Sequence, residues 1–140
     1  MSRVYFTDRD LGKQFPRLLT EAGLVVERHG DLFPPEGSDE QWLAHCGRTQ
    51  RVAITHNSRI RYVPNELAAV KLFGVRLLVV VGQSPTAELA RNFVLTLHRI
   101  ESMLDEHKPP FILKIYRPTL AESAQAASIA GRVEVWYPKG

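Results

Sequence analysis

Acidic and amide side chains follow two short apolar segments of this chain and open a helix between them. The apolar segments are residues 4–7 and 51–54, and the helical pattern begins after Ser38. The polar groups at these points are Asp8, Asp39, Glu40 and the tripeptide Thr55-His56-Asn57. If the two segments are neighbouring parallel strands, these groups converge outside the carboxyl ends of the strands, where open α/β sheets gather ligands. The position predicts a cation or substrate site.

Each acid also has a purely structural explanation when it is considered alone. Asp39 and Glu40 would stand in the first turn of a helix, where the macrodipole favours negative charge. Asp8 lies between a strand and a helix, so it can be an N-cap or turn residue, and Asp10 can take that place instead. The functional interpretation therefore depends on the fold bringing the acids together.

Composition limits the kind of protein that the chain can be. A length of 140 residues with 44% hydrophobic content is enough for one domain with one core. The only cysteine, Cys46, cannot form an internal disulfide, and its context predicts a small buried helix residue. No apolar run reaches the roughly 18 residues of a spanning helix, and the first residues do not resemble a signal peptide. We expect a soluble, cytoplasmic protein.

Charge is unevenly distributed along the chain, although the net charge is only +3. Residues 1–47 carry eight acids against five bases, whereas residues 48–76 carry six bases against Glu66 alone. A cation-using enzyme that acts on a polyanion needs both kinds of charge, because metals take anionic ligands and phosphates take Arg and Lys. A solvated basic face without a partner explains the same distribution.

Strand and helix patterns alternate, which predicts an α/β fold. The predicted strands are residues 3–7, 24–27, 51–55, 75–81, 111–116 and 132–137, the last of them a candidate edge strand. The segment 75–81 is continuously apolar, as expected of a central strand buried on both faces.

Helices are predicted between these strands. The first helix ends at Gly23 and places one set of residues on its buried face: Leu11, Phe15, Leu18, Leu19 and Ala22. After a predicted loop over residues 29–37, Ser38 and Gln41 match a capping box that begins the next helix, which buries Trp42, Leu43 and Cys46. A short helix is predicted over residues 64–72. The longest helix, over residues 86–106, would span about 30 Å with one apolar stripe, and the structure of residues 120–130 is left open.

Three segments taken together resemble the PIN-like ribonucleases, particularly the compact VapC-type branch of bacterial toxin–antitoxin pairs. They are Phe6-Thr7-Asp8-Arg9-Asp10-Leu11-Gly12, Ser38-Asp39-Glu40-Gln41-Trp42-Leu43 and Ile54-Thr55-His56-Asn57-Ser58-Arg59-Ile60. The resemblance covers about residues 3–81. It implies a single PIN-like domain over residues 1–140, with three layers: a central, mainly parallel sheet and helices on both faces. It further implies Mg²⁺ or Mn²⁺ as cofactor, RNA as substrate, a cognate antitoxin as partner and a possible homodimer.

The resemblance assigns site residues position by position. Asp8 corresponds to the family's first acid and is the strongest candidate for a direct metal ligand. Asp39 corresponds to the second, with Glu40 as the alternative. The family's third motif, Thr-x-Asp, is Thr55-His56-Asn57 here, so an amide replaces a carboxylate and one negative charge is lost. Three outcomes follow: a working site with an amide ligand, a site that Asp10 or Asp31 completes, or an inactive relative that binds RNA without cutting it.

Residues near the third segment are candidates for supporting roles. Arg59 and Arg61 are the candidates for RNA binding, because Arg offers bidentate geometry to phosphate; exposed loop charge is the alternative. Thr55 can hydrogen-bond a carboxylate or the attacking water, and Tyr62 can stack on an unpaired base, although plain packing explains both. His56 can act in acid–base chemistry, but the family does not require it.

The preferred function is a metal-dependent endoribonuclease that serves as the toxin of a toxin–antitoxin pair. Asn57 keeps open a catalytically silent PIN-like module that binds RNA or a protein. A signalling receiver ranks third, because Asp8, Asp10 and Lys114 fit its pattern but its phosphoacceptor would fall near Asn57. A Rossmann nucleotide binder is disfavoured, since no glycine-rich turn follows the first strand.

Overall fold

A six-stranded sheet forms the centre of the structure, a computed structural model that describes residues 3–125 and 129–138. The strands are β1 (Val4–Thr7), β2 (Val25–Arg28), β3 (Val52–Thr55), β4 (Arg76–Val80), β5 (Phe111–Tyr116) and β6 (Arg132–Tyr137). Their order is β2-β1-β3-β4-β5-β6; the first five are parallel, and β6 runs antiparallel to β5 at the edge. The predicted mainly parallel sheet is confirmed, with β4 inside it and the last strand at its edge.

Helices cover both faces of this sheet, as predicted. They are α1 (Gln14–Glu21), α2 (His29–Leu32), α3 (Asp39–Thr49), α4 (Pro64–Phe73), α5 (Thr86–Leu95), α6 (Leu97–Glu106) and α7 (Leu120–Gln125). Successive strand residues point to opposite faces. Tyr5 of β1 therefore packs against Phe93 of α5, whereas Phe6 stacks on Trp42 of α3. The result is a three-layer α/β architecture with one apolar cluster on each side of the sheet.

The strand register brings the ends of β1 and β3 side by side. Thr7 is paired with Ile54, and the Asp8 N–H donates to the Ile54 carbonyl oxygen at 2.9 Å. In the next row across the sheet, Thr55 is paired with Val79, and Val79 with Lys114. The two segments that carry the predicted site are therefore neighbouring parallel strands.

The predicted helix over residues 86–106 is interrupted at Thr96, which separates α5 from α6. The Thr96 hydroxyl accepts a hydrogen bond from the Gly131 N–H at 2.8 Å, and the Asn92 side chain donates to the Tyr116 carbonyl at 3.1 Å. The chain that leads into β6 thus docks on the helix at this point. The predicted apolar stripe still runs on through both helices, from Leu89 to Leu104.

The structure differs from the sequence prediction in smaller ways at the ends of the first three helices. The predicted loop over residues 29–37 begins with one helical turn, α2, because the Phe33 N–H donates to the His29 carbonyl at 2.9 Å. Ser38 is the N-cap of α3 as predicted, but its side chain makes no capping bond, so the capping box does not form. Near α1, Leu11 lies in a preceding 3-10 turn and Ala22 is exposed. Residues 120–125 of the open segment form α7.

Candidate functional site

Two aspartates meet at one buried hydroxyl group at the carboxyl edge of the sheet. Thr55 ends β3 and is fully buried; its Oγ1 donates to Asp8 Oδ2 at 2.8 Å and lies 3.2 Å from Asp10 Oδ2. Asp8 is only 4% exposed. The prediction that Thr55 hydrogen-bonds a carboxylate matches this contact. A single threonine therefore fixes the separation of two carboxylates.

Backbone groups hold the same two aspartates from the other side. Asp8 caps the 3-10 turn Arg9–Leu11, because its Oδ1 accepts from the Arg9 N–H at 2.7 Å. Asp10 accepts from the His56 N–H, with its two oxygens 3.2 and 3.1 Å away. The capping role considered for Asp8 and its place in the acidic site are thus compatible. Asp10, considered only as a cap or a replacement ligand, is a full member of the cluster.

Asp39 approaches the aspartate pair from the first turn of α3. Its Oδ1 accepts from Trp42 Nε1 at 3.0 Å, and Trp42 stacks on Phe6 with ring centroids 5.6 Å apart. Its Oδ2 lies 3.4 Å from Asn57 Nδ2. The Trp42 ring therefore holds the start of α3 against β1, and this packing sets the position of the Asp39 carboxylate.

Asn57 links the two sides of the site instead of pointing a free oxygen into it. Its Oδ1 accepts from the Arg59 N–H at 3.0 Å, while its Nδ2 faces Asp39 and its backbone N–H donates to Thr55 Oγ1 at 3.1 Å. The side chain thus positions Asp39 relative to the end of β3. Its predicted role as a metal ligand stays a prediction, and the contacts favour a positioning role.

Glu66 adds a fourth carboxylate that the sequence interpretation did not select. It lies in the first turn of α4, half-buried, and its Oε1 has no hydrogen-bond partner among the described residues. Burial, and then the negative charge of Asp39, raise the pKa of Glu66 to about 7. An acid just after a helix-starting proline was the available signal, but helix stabilisation explains that pattern equally well.

Burial, more than mutual repulsion, raises the pKa values of these carboxyl groups. Burial raises the pKa of Asp8 to about 7, and the neighbouring charges of Asp10 and Asp39 add to this effect against the hydrogen bond from Thr55. The pKa of Asp10 is raised as well, mainly by burial. Mutual repulsion of buried acids is relieved when a cation neutralises them.

The donor set fits a hard divalent cation, which prefers oxygen ligands. Asp8, Asp10, Asp39 and Glu66 supply only oxygens, and the unpartnered Oε1 of Glu66 is one acceptor free for such an ion. As the side chains stand, no three Asp, Glu, His or Cys residues within the described segments are grouped tightly enough to hold one ion. The cluster thus has the composition of a metal site, and an ion would have to draw the side chains closer.

Two other acids selected from the sequence, Glu40 and Asp31, lie outside this cluster. Glu40 is exposed and lines a groove with Ser38 and Arg48, so Asp39 is the better placed of the two neighbours. Asp31 is exposed, 3.9 Å from Arg28, and makes no contact with the cluster among the described residues. The rescue of the site through Asp31 is therefore not supported by the geometry.

The basic residues of the segment 48–76 do not form one surface. Arg59 is exposed directly beside Asn57, and Arg61 lies over the rings of Tyr62 and Trp136. Arg51 and Arg76, by contrast, border a cavity of about 610 Å³ at the amino ends of the strands, opposite the acids. His56 is held by a 2.6 Å contact between Nε2 and the Gly82 carbonyl. Arg59 and Arg61 thus lie in the segment that directly follows Asn57, beside the acids.

Comparison with protein families identifies the family to which the fold is similar. The family model described as a PIN like domain matches residues 3–82, which include β1 to β4 and all four acids. No curated protein and no solved structure matches the chain. Among the described residues, no helix has the length and apolar character needed to cross a membrane.

Proposed function

The chain belongs to the PIN-like domain family, and from this premise we propose that it is a metal-dependent endoribonuclease that hydrolyses RNA phosphodiester bonds. PIN-like domains are commonly nucleases, and PIN-domain nucleases typically use divalent metals. One observation carries the proposal for this chain: Asp8, Asp10, Asp39 and Glu66 gather at the carboxyl edge of the sheet. Such an acid cluster would make a poor surface for phosphate unless a cation were bound there.

Some residues of the site would bind the ion, and others position the residues that bind it. Asp8, Asp10 and Asp39 would bind Mg²⁺ or Mn²⁺, with Glu66 completing the set. The bound ion would acidify a water molecule and offset charge on the phosphate. Thr55 keeps Asp8 and Asp10 at a fixed separation, and Asn57 with Trp42 keeps Asp39 turned toward them. Arg59 and Arg61 would contact phosphates of the RNA on either side of the cleaved bond.

A cleavage assay tests this proposal. Purified protein incubated with a single-stranded RNA and Mn²⁺ or Mg²⁺ should cut it, and cutting should stop when a chelator is added. The Asp8→Asn variant, which keeps the shape of the side chain, should not cut. Asp31→Asn is the matched control, because it removes an exposed acid outside the cluster. Equal cleavage by wild type and Asp8→Asn would reject the site.

A catalytically silent binding module is the second candidate, and the contacts of Asn57 are the observation in its favour. Both ends of the amide are engaged by Arg59 and Asp39, so at the position that carries an acid in the family the side-chain oxygen already accepts one hydrogen bond. Retained RNA binding without cleavage in either metal would establish this alternative. We favour the enzyme because Asp10 and Glu66 supply carboxylates that compensate for the charge lost at residue 57.

A toxin role is the finer form of the proposal, and it rests on the resemblance of the three segments to VapC-type toxins. Expression in bacteria should then arrest growth, Asp8→Asn should relieve the arrest, and co-expression of a cognate antitoxin should restore growth. Unimpaired growth with active, soluble enzyme would separate the nuclease from the toxin role. Light scattering of the purified chain would test the homodimer.

A further inference from the structure

Aromatic rings and cations alternate on a surface next to the acids. The rings of Tyr62 and Trp136 meet edge to face at 5.5 Å, and the Arg61 guanidinium lies 5.7 and 5.6 Å from their centroids. The Lys114 ammonium is 4.1 Å from the Trp136 ring, and the Lys71 ammonium is 5.5 Å from the Tyr137 ring. We call these six residues the aromatic platform.

The platform has one exposed ring, Tyr62, beside the partly buried ring of Trp136, and it carries available positive charge. Tyr62 is 67% exposed, far more than a tyrosine that serves only to pack the core. Within the described residues, Arg61, Lys71 and Lys114 form no ion pair with an acid. Glu134, which lies opposite Lys114 in the strand register, has its carboxylate 3.3 Å from Arg132. The cations therefore contact ring faces and are free to receive an anion.

The platform lies on the same face of the sheet as the acids. Thr55, Val79 and Lys114 occupy one row across β3, β4 and β5, and residues in one row of a parallel sheet point the same way. Strands are spaced about 4.8 Å apart, so Lys114 is roughly 10 Å across the sheet from the threonine that holds Asp8 and Asp10. Along the chain, Tyr62 lies between Asn57 and Glu66. The chain order thus joins the exposed end of the platform, at Tyr62, to the acid site, and an extended ligand would pass from one to the other there.

We propose that the aromatic platform binds unpaired bases of single-stranded RNA and so directs the strand into the acid cluster. This inference rests on the proposed ribonuclease function and assigns the form of its substrate. Exposed rings beside cations suit a single strand, because each base offers a face for stacking and each phosphate a negative charge. The paired bases of a duplex are already stacked on one another. Trp136 and Lys114 lie outside the segment 3–82, so the platform includes a part of the chain that the family match does not cover.

Binding measured without cleavage tests the platform. A chelator keeps the protein from cutting, and fluorescence anisotropy gives the Kd for a labelled single-stranded RNA of about 12 nucleotides. Tyr62→Ala and Trp136→Ala should each weaken binding about tenfold, the typical effect of losing one stacked base. Tyr62→Phe is the matched control, because it keeps the ring and should keep the affinity. Lys114→Gln should weaken binding and reduce its salt dependence.

The variants also guard against a trivial loss of structure. Trp136 is partly buried, so a thermal melt must show that Trp136→Ala is folded. Tyr62 is exposed, and the pair Tyr62→Ala and Tyr62→Phe decides the outcome if Trp136→Ala does not fold. Unchanged affinity in folded Tyr62→Ala would overturn the proposal. So would binding of the matching RNA duplex as tightly as the single strand, or tighter binding of single-stranded DNA than of RNA.

The assay separates this proposal from the proposed catalysis. If wild type fails to cleave with Mn²⁺ while Tyr62→Ala still weakens binding, the nuclease proposal is wrong and the platform stands. If wild type cleaves and Tyr62→Ala binds and cleaves normally, the acids are a catalytic site and the platform is wrong.

Discussion

Replacing Asp8 by asparagine should make the chelated protein more stable while it abolishes cleavage. Asp8 is almost fully buried, and its pKa is raised from 3.8 to about 7 by burial and by Asp10. Between these two values the folded state binds more protons than the unfolded state does. Stability therefore falls as the pH rises through this window. The neutral amide of Asp8→Asn removes that penalty.

The size of the effect follows from the same pKa. Each unit corresponds to about 1.4 kcal/mol, so the penalty approaches about 4 kcal/mol at pH 8 and is less than half of that at about pH 5. This is an upper bound, because asparagine forms a weaker bond to the Arg9 N–H than a carboxylate does. Its Nδ2 can donate to Thr55 Oγ1, which keeps Asp10 as an acceptor. We expect a net gain of about 2 kcal/mol, or roughly 5–10 °C in Tm, at pH 8.

Thermal unfolding in a chelator at about pH 5 and pH 8 measures this gain. Asp8→Asn should melt higher than wild type at the upper pH, and the difference should shrink at the lower one. Asp31→Asn, the same change at an exposed acid, should leave Tm nearly unchanged at both. Adding Mn²⁺ should raise the Tm of wild type more than that of Asp8→Asn. Equal Tm values for Asp8→Asn and wild type at pH 8 would refute the view that Asp8 is a strained acid held for a cation.

Three further substitutions test the parts assigned to the neighbours of Asp8. Thr55→Val keeps the side-chain shape but leaves Asp8 Oδ2 and the Asn57 N–H without a partner. It should lower the free energy of unfolding by about 1–3 kcal/mol and raise the Mn²⁺ concentration needed for cleavage. Cleavage with the metal dependence of wild type would argue against this role of Thr55. Glu66→Gln should weaken Mn²⁺ binding in calorimetry about tenfold, or about 1.4 kcal/mol, and an unchanged Kd would place Glu66 outside the ligand set. Asn57→Asp should tighten Mn²⁺ binding and raise cleavage. It should also lower the Tm of the chelated protein, because the new carboxylate would face Asp39 Oδ2 at 3.4 Å. An Mn²⁺ affinity identical to that of wild type would show that residue 57 does not contact the ion.

The layered fold could be predicted because its signals are local and repeated. Apolar runs marked the strands, and the polar residues after two of them were expected to converge if β1 and β3 were neighbours, a condition that the register meets. The break at Thr96 could not be predicted in this way. The apolar stripe is continuous across it, and the cause is a contact with Gly131, which lies 35 residues further along the chain. Only the tertiary structure brings these two residues together.

Among the acids, too, some could be selected from the sequence and others only from the structure. Asp8 was selected because it follows a strand directly, whereas the choice between Asp39 and Glu40 needed the position of the Trp42 indole. Glu66 was missed because an acid in the first turn of a helix is ordinary. What makes it unusual is the charge of Asp39 beside it, and Asp39 is 27 residues away in the chain.

The contacts of Asn57 are compatible with a site in which an amide stands where the resemblance to the VapC-type branch implies an acid. A carboxylate at this position would add a further negative charge to a cluster in which burial and repulsion already raise the pKa of Asp8 and of Glu66 to about 7. The amide instead places Nδ2 against Asp39 and so reduces the repulsion there. Asp10 and Glu66 meanwhile keep the number of carboxylates high enough for a divalent cation. Under the proposed function, an amide at residue 57 would therefore lower the affinity for the metal and favour the stability of the metal-free protein. Opposite changes in these two quantities in Asn57→Asp are the expected result.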